Sequence, residues 1–584
     1  MKYINKLLLT VVAIIVAMML ATGCGAEGTG SVDNTTPTPT PTPTEPAHQH
    51  LFDEFVEDHQ PDCVNDGYTV YKCECGETKK EVYQTAYGHD YNEMTWECRN
   101  CGYRPAGAGM VFELNENGTY TVVDKGTYSG DCFEIPAQWN GVDVTAIGDE
   151  AFRYSGWMMS VVIPDTIKTI GNYAFASTYL ESVVLPEGLV SLGERAFENC
   201  DSLSSVTFPS TLVEIGSCAF VNCPQLKTVE LPEGITTLGE AAFGYSGIES
   251  FTLPSSITEW GSVVSGCRGL TSVVMHNGVT KIASNAFMGC EALTSIEIPD
   301  SVQEIGDNAF NGCTALKSVK LPAGLKSIDF YTFYGTGIES IELPDSMESI
   351  GASAFANCPA LATVKMGDNI KSIGANAFDN TPSMQWSTYD NGYYLGTTAN
   401  PYKYFITTTS RTVTSCKLHA DTRMVASGAF SSYLSSNYVL ESVELNDGLE
   451  IIGMSAFDYA QSLINVVIPD SVTFIGEGAF ANCGGLGMVK LPAGIKELPK
   501  RLFANSVLDE IVIPAGVEKI GISAFYGIYV ATVTIPASVT EIGASAFSVS
   551  DVHFEGTVAQ WNAITKAENW NSSGYTVTCV DGQA

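Results

Sequence analysis

Basic residues are scarce in this sequence. Only 29 lysines and arginines stand against 65 aspartates and glutamates over 584 residues, which gives a net charge of −36 at pH 7. Nucleic-acid binding requires a basic surface for the phosphate backbone, so nucleic acid is excluded as an expected partner. Acidity of this degree commonly keeps a long exposed protein soluble.

Catalytic motifs are also lacking. The sequence contains no G-x-S-x-G, H-E-x-x-H, P-loop or G-x-G-x-x-G pattern. After residue 104 only His276, His419 and His553 remain, and each is isolated. The first two stand after a strand pattern where equivalent positions have proline, which is a structural explanation in itself. We expect a protein that is not an enzyme, with a surface hydrolase as the least favoured alternative.

The N-terminal apolar run, residues 7–20, is too short to span a bilayer comfortably and fits the core of a secretory signal peptide. It ends in Leu-Ala-Thr-Gly-Cys, which resembles a bacterial lipobox except that Ala21 stands where leucine is commonest. The pattern predicts a signal peptide over 1–24 and a lipid on Cys24, which would hold the chain at the extracellular face of a bacterial membrane. An ordinary cleaved signal peptide is the alternative.

Residues 25–47 are rich in glycine, threonine and proline, with an alternating Thr-Pro run over 36–44. Such a segment cannot form a core and prefers extended polyproline II, at about 3.1 Å per residue. It is expected to be a stalk that lifts the following residues off the membrane.

Residues 48–104 combine cysteines and histidines in a short segment. The pairs in Cys-Glu-Cys-Gly and Cys-Arg-Asn-Cys-Gly resemble the two knuckles of a zinc ribbon, because a glycine after each pair lets the turn wrap a metal. The predicted ligands are Cys73, Cys75, Cys98 and Cys101, with Cys63 and His89 as alternatives because the first pair is C-x-C. We expect one structural zinc ion, with disulfides or free thiols as alternatives, and no other cofactor.

One pattern then recurs along most of the chain. An Ala-Phe pair reappears mostly every 22 or 23 residues, and one double gap holds a degenerate copy with valine in the Phe slot. The seventeen slots are Phe152, Phe175, Phe197, Phe220, Phe243, Val264, Phe287, Phe310, Phe333, Phe355, Phe378, Phe430, Phe457, Phe480, Phe503, Phe525 and Phe547. A fixed period of this length is the signature of a solenoid.

Each position in the copy at 293–313 has a physical role. Ile296 and Ile298 alternate with polar residues, the period of a half-buried strand. Pro299 ends that strand because it lacks an N–H group. The Ala-Phe pair at Phe310 is expected on a short helical or 3-10 turn, with the ring in the centre. One coil cannot bury its own apolar face, so successive coils must stack.

The core I/L-P-x-x-V/I-x-x-I/L-G-x-x-A-F resembles the BspA-like leucine-rich repeats of bacterial and protist surface proteins over about residues 110–580. The resemblance implies a curved parallel β ribbon that binds other macromolecules, adhesins among them. The expected fold class is a repeat solenoid of about seventeen coils of 22–23 residues with short helical or 3-10 turns, preceded by the Cys/His module.

Caps are expected at both ends of the solenoid, which should span 141–550. Two alternating runs around Asn117-Gly118 predict a β-hairpin, and this hairpin is expected to cover the first coil as part of a cap over 110–140. Residues 551–584, with Trp561 and Trp570, resemble the C-terminal cap of the family.

Seven cysteines lie three residues after a Phe slot, where other copies have serine, threonine or alanine. A position that accepts these residues requires a small buried side chain, and free cysteine behaves as a small hydrophobe. Free thiols are therefore favoured here, although disulfides between stacked coils are conceivable.

An aromatic-rich insertion interrupts the repeat over about 379–411. Its Asp390-Asn391-Gly392 predicts a hairpin turn. The family carries a like insertion, which favours packing on adjacent coils, and the alternative is that Trp386, Tyr389, Tyr393 and Tyr394 take part in binding.

The outward strand positions predict a binding face. One row is nearly all hydroxyl-bearing and includes Ser295, Ser318 and Ser340, and a second row alternates in charge through Glu297, Lys320 and Glu342. A concave Ser/Thr-lined sheet suits broad polar contact with an extracellular protein or glycan, such as host matrix, mucin or the surface of other bacteria. We expect a monomer. A solute-binding or envelope-associated lipoprotein is the alternative, but the repeat does not suggest two lobes.

Overall fold

The computed structural model describes residues 54–59, 67–72, 77–84, 99, 106–128, 130–432, 439–528, 530 and 532–584. From residue 132 onward these residues form a solenoid of stacked coils, joined by parallel ladders. Each regular coil contributes three segments to the stack: a three- or four-residue strand, a two-residue strand and the turn that carries the Ala-Phe pair. The expected repeat solenoid is confirmed.

The first segments form what we call the long-strand ladder. Neighbouring strands are parallel and in register, so that Ser295 lies opposite Ser318 and Ile296 opposite Val319. The strands of this ladder are Cys132–Glu134, Ser160–Val162, Ser182–Val184, Ser205–Thr207, Ser250–Thr252, Ser272–Val274, Ser295–Glu297, Ser318–Lys320, Ser340–Glu342, Thr363–Lys365, Ser415–Lys417, Ser442–Glu444, Asn465–Val467, Met488–Lys490, Thr532–Ile535, Asp551–Phe554 and Thr576–Cys579. The middle side chain of each three-residue strand, and the second and fourth of each four-residue strand, point into the core, because successive residues of a strand face opposite sides.

The second segments form the short-strand ladder, in which the second residue of every strand but the last is apolar and, in most coils, buried. Its strands are Thr169–Ile170, Ser191–Leu192, Glu214–Ile215, Thr237–Leu238, Glu259–Trp260, Lys281–Ile282, Glu304–Ile305, Ser327–Ile328, Ser349–Ile350, Ser372–Ile373, Met424–Val425, Ile451–Ile452, Phe474–Ile475, Glu497–Leu498, Lys519–Ile520, Glu541–Ile542 and Thr565–Lys566.

The Ala-Phe segments form a third set of contacts, which we call the turn ladder. The expected short turn is present, but it is not a continuous helix. Instead, the N–H groups of Asn308, Phe310 and Gly312 donate to carbonyl oxygens of the next coil at 2.8–2.9 Å. Asn308 (φ 57°) and Gly312 (φ 76°) are both left-handed, a conformation that asparagine and glycine adopt at low energetic cost. The N–H groups of Ala309, Asn311 and Cys313 instead donate three residues back in the same segment at 3.1–3.3 Å, so bonds between coils alternate with turn bonds within the coil.

The phenylalanines of the Ala-Phe pairs stack into one column along the core. The Phe310 ring centroid lies 5.2 Å from those of Phe287 and Phe333, and all three side chains are fully buried. The column continues into the insertion, where the Phe405 ring lies 4.6 Å from Phe430. Since every slot phenylalanine is shared with both neighbouring coils, the rings couple the coils to one another.

Trp260 fills the gap in this column at the degenerate coil. Trp260 is the second residue of its short strand and lies opposite Ile282 of the next short strand. Its ring lies 4.9 Å from Phe287 and 5.6 Å from Phe251, and its side chain is fully buried. The large indole therefore compensates for Val264, the small residue in the Phe slot.

The seven cysteines that lie three residues after a Phe slot are free and buried. Cys313 Sγ donates to the carbonyl oxygen of Phe287, in the preceding coil, at 3.1 Å. Ser506 makes the equivalent bond to Phe480 at 2.6 Å, so the slot accommodates a small donor. Burial raises the pKa of Cys313 to about 12, which keeps its thiol protonated. Cys132, outside these slots, is disulfide-bonded.

The strands before the solenoid are antiparallel. Glu54–His59, Gly67–Lys72 and Thr78–Gln84 form a three-stranded sheet. The hairpin expected around Asn117-Gly118 is present, with Val111–Leu114 paired to Tyr120–Asp124. Its second strand pairs in parallel with Val142–Ile147 at the head of the short-strand ladder, and Val142–Ile147 also pairs with the short strand Gln138–Trp139. The hairpin thus covers the edge that the first coil would otherwise expose.

The C-terminal end is closed by a short helix and two tryptophans. The helix, Val558–Ala563, begins with a capping box between Thr557 and Gln560. Trp561 and Trp570 are buried, and Trp570 packs edge-on to Phe547 at 6.1 Å. The final strand, Gly582–Gln583, pairs antiparallel with the last long strand. In the part of the chain that the structure describes, no helix is long and apolar enough to cross a membrane.

Candidate binding surface

The long strands lie on one side of the solenoid, which we call the long-strand face. The predicted positions lie on it: Ser295, Glu297, Ser318, Lys320, Ser340 and Glu342 are all exposed. In each of these strands the residue between the two exposed positions is buried. The strand alternation therefore aligns the hydroxyl row and the charged row along consecutive coils.

The charges on the middle of this face are balanced between coils. Glu297 lies opposite Lys320 in the register, and Glu342 forms an ion pair with Lys365. The hydrogen bond to Glu342 raises the pKa of Lys365. Exposed pairs of this kind contribute little to stability, about 0–1 kcal/mol each. This part of the face is therefore polar without being a site for one sign of charge.

Further along, the same face becomes apolar, which sequence reasoning missed. Ile464, Val467, Met488 and Val512 lie on or beside consecutive strands and are between 53% and 63% exposed. We call these four residues the apolar patch. Extending the two outward rows beyond the insertion would have found it. Contiguous exposed apolar side chains of this kind mark protein interaction sites.

The insertion forms a hairpin at the predicted turn. Ser387–Tyr389 pairs antiparallel with Gly392–Leu395, and the latter with Tyr404–Thr408. Tyr404–Thr408 then pairs in parallel with Met424–Val425. The insertion is thus part of the solenoid and supplies its short strand at this level.

The four aromatic residues proposed for binding have different environments. Trp386 and Tyr393 are half-buried and stacked, with ring centroids 5.1 Å apart. Tyr389 is 37% exposed and packs edge-on to His419 at 4.9 Å. Tyr394 is fully buried, and burial raises its pKa. Tyr394 is therefore a core residue, and its proposed contact with a ligand is corrected.

The insertion approaches the long-strand face through its loop at 396–398. This loop borders a space of about 420 Å³ together with Ser340–Glu342 and Thr363–Lys365. Trp386 and Tyr393 instead line a separate cleft of about 480 Å³ between the coils of Phe378 and Phe430. The Trp386 and Tyr393 rings therefore lie apart from the hydroxyl row on the long-strand face.

The predicted lipidation and metal positions lie outside the described residues. These are Cys24, Cys63, Cys73, Cys75, His89, Cys98 and Cys101. Across the described ranges, no three His, Cys, Asp or Glu side chains lie close enough together to hold a metal ion.

The repeat matches a known family over most of the chain. The model for the BspA type leucine-rich repeat region, in six copies, matches residues 145–264, 263–385 and 423–553. The chain therefore belongs to the BspA-type leucine-rich repeat family. No curated protein matches it in sequence.

Several solved bacterial repeat proteins are similar to this chain. A leucine-rich repeat protein from Bacteroides ovatus is 21% identical, with 81% of this chain and 100% of that chain covered and a TM-score of 0.42. A leucine-rich cell surface protein from Faecalibacterium prausnitzii is 26% identical, with 79% and 97% covered and a TM-score of 0.27. The pneumococcal vaccine antigen PcpA is 16% identical, with 81% and 98% covered and a TM-score of 0.21. Likenesses at this level carry no argument about function.

Proposed function

We propose that this is a non-catalytic binding protein of the bacterial cell surface, which holds an extracellular partner on its long-strand face. The observation that carries the proposal is the regularity of that face. Six consecutive coils, from Ser250–Thr252 to Thr363–Lys365, and four more after the insertion, from Ser415–Lys417 to Met488–Lys490, present their outward side chains side by side, with a polar middle and an apolar patch. A large ordered surface of this kind suits binding to another macromolecule.

A protein partner is favoured over a glycan by the apolar patch. Exposed aliphatic side chains such as Ile464 and Met488 gain free energy when a complementary apolar surface removes them from water. Three acids, Glu441, Asp509 and Glu510, and one base, Lys490 opposite Val467, are exposed around these side chains. The favoured partner therefore carries apolar side chains flanked mainly by lysine or arginine. The net charge of −36 opposes self-association and favours a monomer. A glycan contact on the hydroxyl row is the second candidate.

Anchoring through Cys24 and the stalk at 25–47 is part of the proposal. Its support is the lipobox-like sequence followed by a Thr-Pro run, an order that would place the binding face away from the membrane. One structural zinc ion in the module at 48–104 is proposed on the spacing of its cysteine pairs. Metal analysis of the purified whole chain would measure about one zinc per molecule, and a metal-free module with disulfides would contradict this.

Arginine substitutions on the face test the proposed function. The triple variant Ser295→Arg, Ser318→Arg, Ser340→Arg places three large cations on exposed positions, so the fold should persist while binding is lost. Whole wild-type chain would be used to capture binding proteins from host matrix, mucin and bacterial surface material. The triple variant should lose at least tenfold in affinity for the captured partner.

A matched control exists on the short-strand ladder of nearby coils. Ser327→Arg, Ser349→Arg, Ser372→Arg makes the same chemical change on half-buried or exposed serines away from the long-strand face. This control should bind normally. Full affinity in the first variant and loss in the control would move the site to the short-strand side, and turnover of a substrate by the purified chain would contradict the non-catalytic proposal.

A further inference from the structure

The turn ladder is interrupted at the coil of Phe378. In the coil before it, the N–H groups of Ser353, Phe355 and Asn357 donate to the next coil at 2.8–3.0 Å. The equivalent groups one coil later are those of Asn376, Phe378 and Asn380, and these three N–H groups have no hydrogen-bond partner in the described structure. Within the described ranges, every other coil from Phe152 to Phe547 keeps at least one of its three bonds.

The insertion explains why these three N–H groups have no acceptor. The coil that contains the insertion supplies the strand Ser387–Tyr389, which pairs with Gly392–Leu395 and not with a long strand, and a short strand at Tyr404–Thr408. The chain then runs directly to the next long strand, Ser415–Lys417, without an Ala-Phe segment between them. Phe405 completes the aromatic column, but no residue of this coil takes the place of the missing turn.

The missing turn leaves a wedge-shaped cleft between two coils. At its base the coils touch, because Ser427 N–H donates to the Ile373 carbonyl at 2.9 Å and a Cβ on Gly428 would lie 3.1 Å from that of Ala375. Beyond that contact the coils separate. Among the described residues, the carbonyl of Ala429 on the far wall receives only the Thr407 hydroxyl, at 3.4 Å. The cleft has a volume of about 480 Å³, within the usual range for ligand sites.

The chemistry of the walls points to a peptide backbone. The three free donors lie two residues apart, and their counterparts in regular coils each bind a main-chain carbonyl. An extended peptide offers carbonyl groups at that spacing and can add to an open edge as an extra strand. Trp386 and Tyr393 form a stacked aromatic wall, which would pack against an apolar side chain of the peptide.

We propose that this cleft binds an extended peptide segment of a partner protein, whose carbonyl groups accept hydrogen bonds from the Asn376, Phe378 and Asn380 N–H groups. Binding satisfies the donor of Phe378, a residue that is buried, and an unsatisfied buried N–H group is costly. A saccharide would also stack on the aromatic pair, but it does not present regularly spaced carbonyl groups. The site is separate from the long-strand face.

Hydrogen exchange of the whole chain tests the free donors first. Because they lack acceptors, the amides of Asn376, Phe378 and Asn380 should exchange at least tenfold faster than those of Asn308, Phe310 and Gly312, which are the equivalent residues in a regular coil. Equal protection of the two sets in the free protein would overturn the proposal.

Peptide binding is then measured with a random heptapeptide phage library selected on the whole chain. Selected peptides should slow exchange at 376–380 and should bind at least tenfold more weakly to Ser410→Trp, which places a large side chain at the lining of the cleft. The control Ser210→Trp changes a similarly exposed serine in a distant turn and should bind normally, as should the triple arginine variant of the long-strand face. Three results would each overturn the proposal. Selected peptides could protect another segment from exchange, or bind Ser410→Trp as tightly as the wild-type chain. In the third, no peptide is enriched while a member of an oligosaccharide array protects 376–380 from exchange.

Discussion

The compensation between Trp260 and Val264 gives a sharp test of how the core is built. Trp260→Ile restores the residue type of the neighbouring short strands and removes the indole that packs against Phe251 and Phe287. A large-to-small change at a fully buried site costs about 2–4 kcal/mol. Val264→Phe restores the consensus phenylalanine while the indole is still present, and overpacking of this kind costs about 1–3 kcal/mol.

The double variant is the decisive measurement. If the two sites were independent, the losses would add to about 3–7 kcal/mol. Because the double variant recreates the Ile and Phe pair of regular coils, we expect a loss of at most about 2 kcal/mol. Full restoration is not expected, since Val264 follows the preceding slot by 21 residues, against 23 on either side, and Val263 stands in the place of alanine.

Local hydrogen exchange is the suitable assay, because a repeat array need not unfold in one step. Exchange over residues 250–290 reports the local free energy of opening. Exchange near Phe480, many coils away, should be unchanged in all variants and serves as the internal control. Additive losses in the double variant would refute the compensation.

Three further predictions follow from the core and the N-terminus. Phe310→Ala should lower local stability by about 3–5 kcal/mol, whereas Phe330→Ala, at a side chain that is 45% exposed, should change it little; equal losses measured by hydrogen exchange would contradict a stacked core. Cys313 should resist iodoacetamide in the native chain at pH 8 and react after denaturation, because its folded pKa is about 12. A raised folded pKa stabilises the native state below the ordinary thiol pKa and loses that contribution as the pH rises toward 12, so stability should fall above about pH 9, and a native chain that is labelled at Cys313 would contradict this. Cys24→Ala should shift the protein from the detergent phase to the medium or leave it unprocessed, and unchanged detergent partitioning would remove the proposed anchor.

The repeat made much of the fold predictable. Strand alternation alone fixes which residues face outward, so Ser295 and Glu297 were placed correctly without coordinates. The period also identified the Phe slots, because a ring that fills the centre of each coil must recur once per coil. The period could not supply the hydrogen-bond geometry of the Ala-Phe segment. The same side chains would point inward whether the segment bonded to the next coil or formed a local helix.

Departures from the repeat were harder to interpret. Val264 was recognised as a degenerate slot, but the compensating ring of Trp260 lies in a different segment of the coil and becomes apparent only when the coils are stacked. Tyr394 belongs to an aromatic-rich insertion, and composition could not separate its buried ring from the exposed edge of Tyr389. The open donors at Phe378 result from a segment that is absent from the next coil, which no motif marks.

Site-specific photocrosslinking tests the proposed binding face most directly. A benzoyl-phenylalanine at Ser318, in the middle of the long-strand face, should crosslink the captured partner. The same group at Ser349, on the short-strand ladder of a nearby coil, should give no crosslink above background. Crosslinking from Ser349 with none from Ser318 would contradict the assignment of the long-strand face as the binding surface.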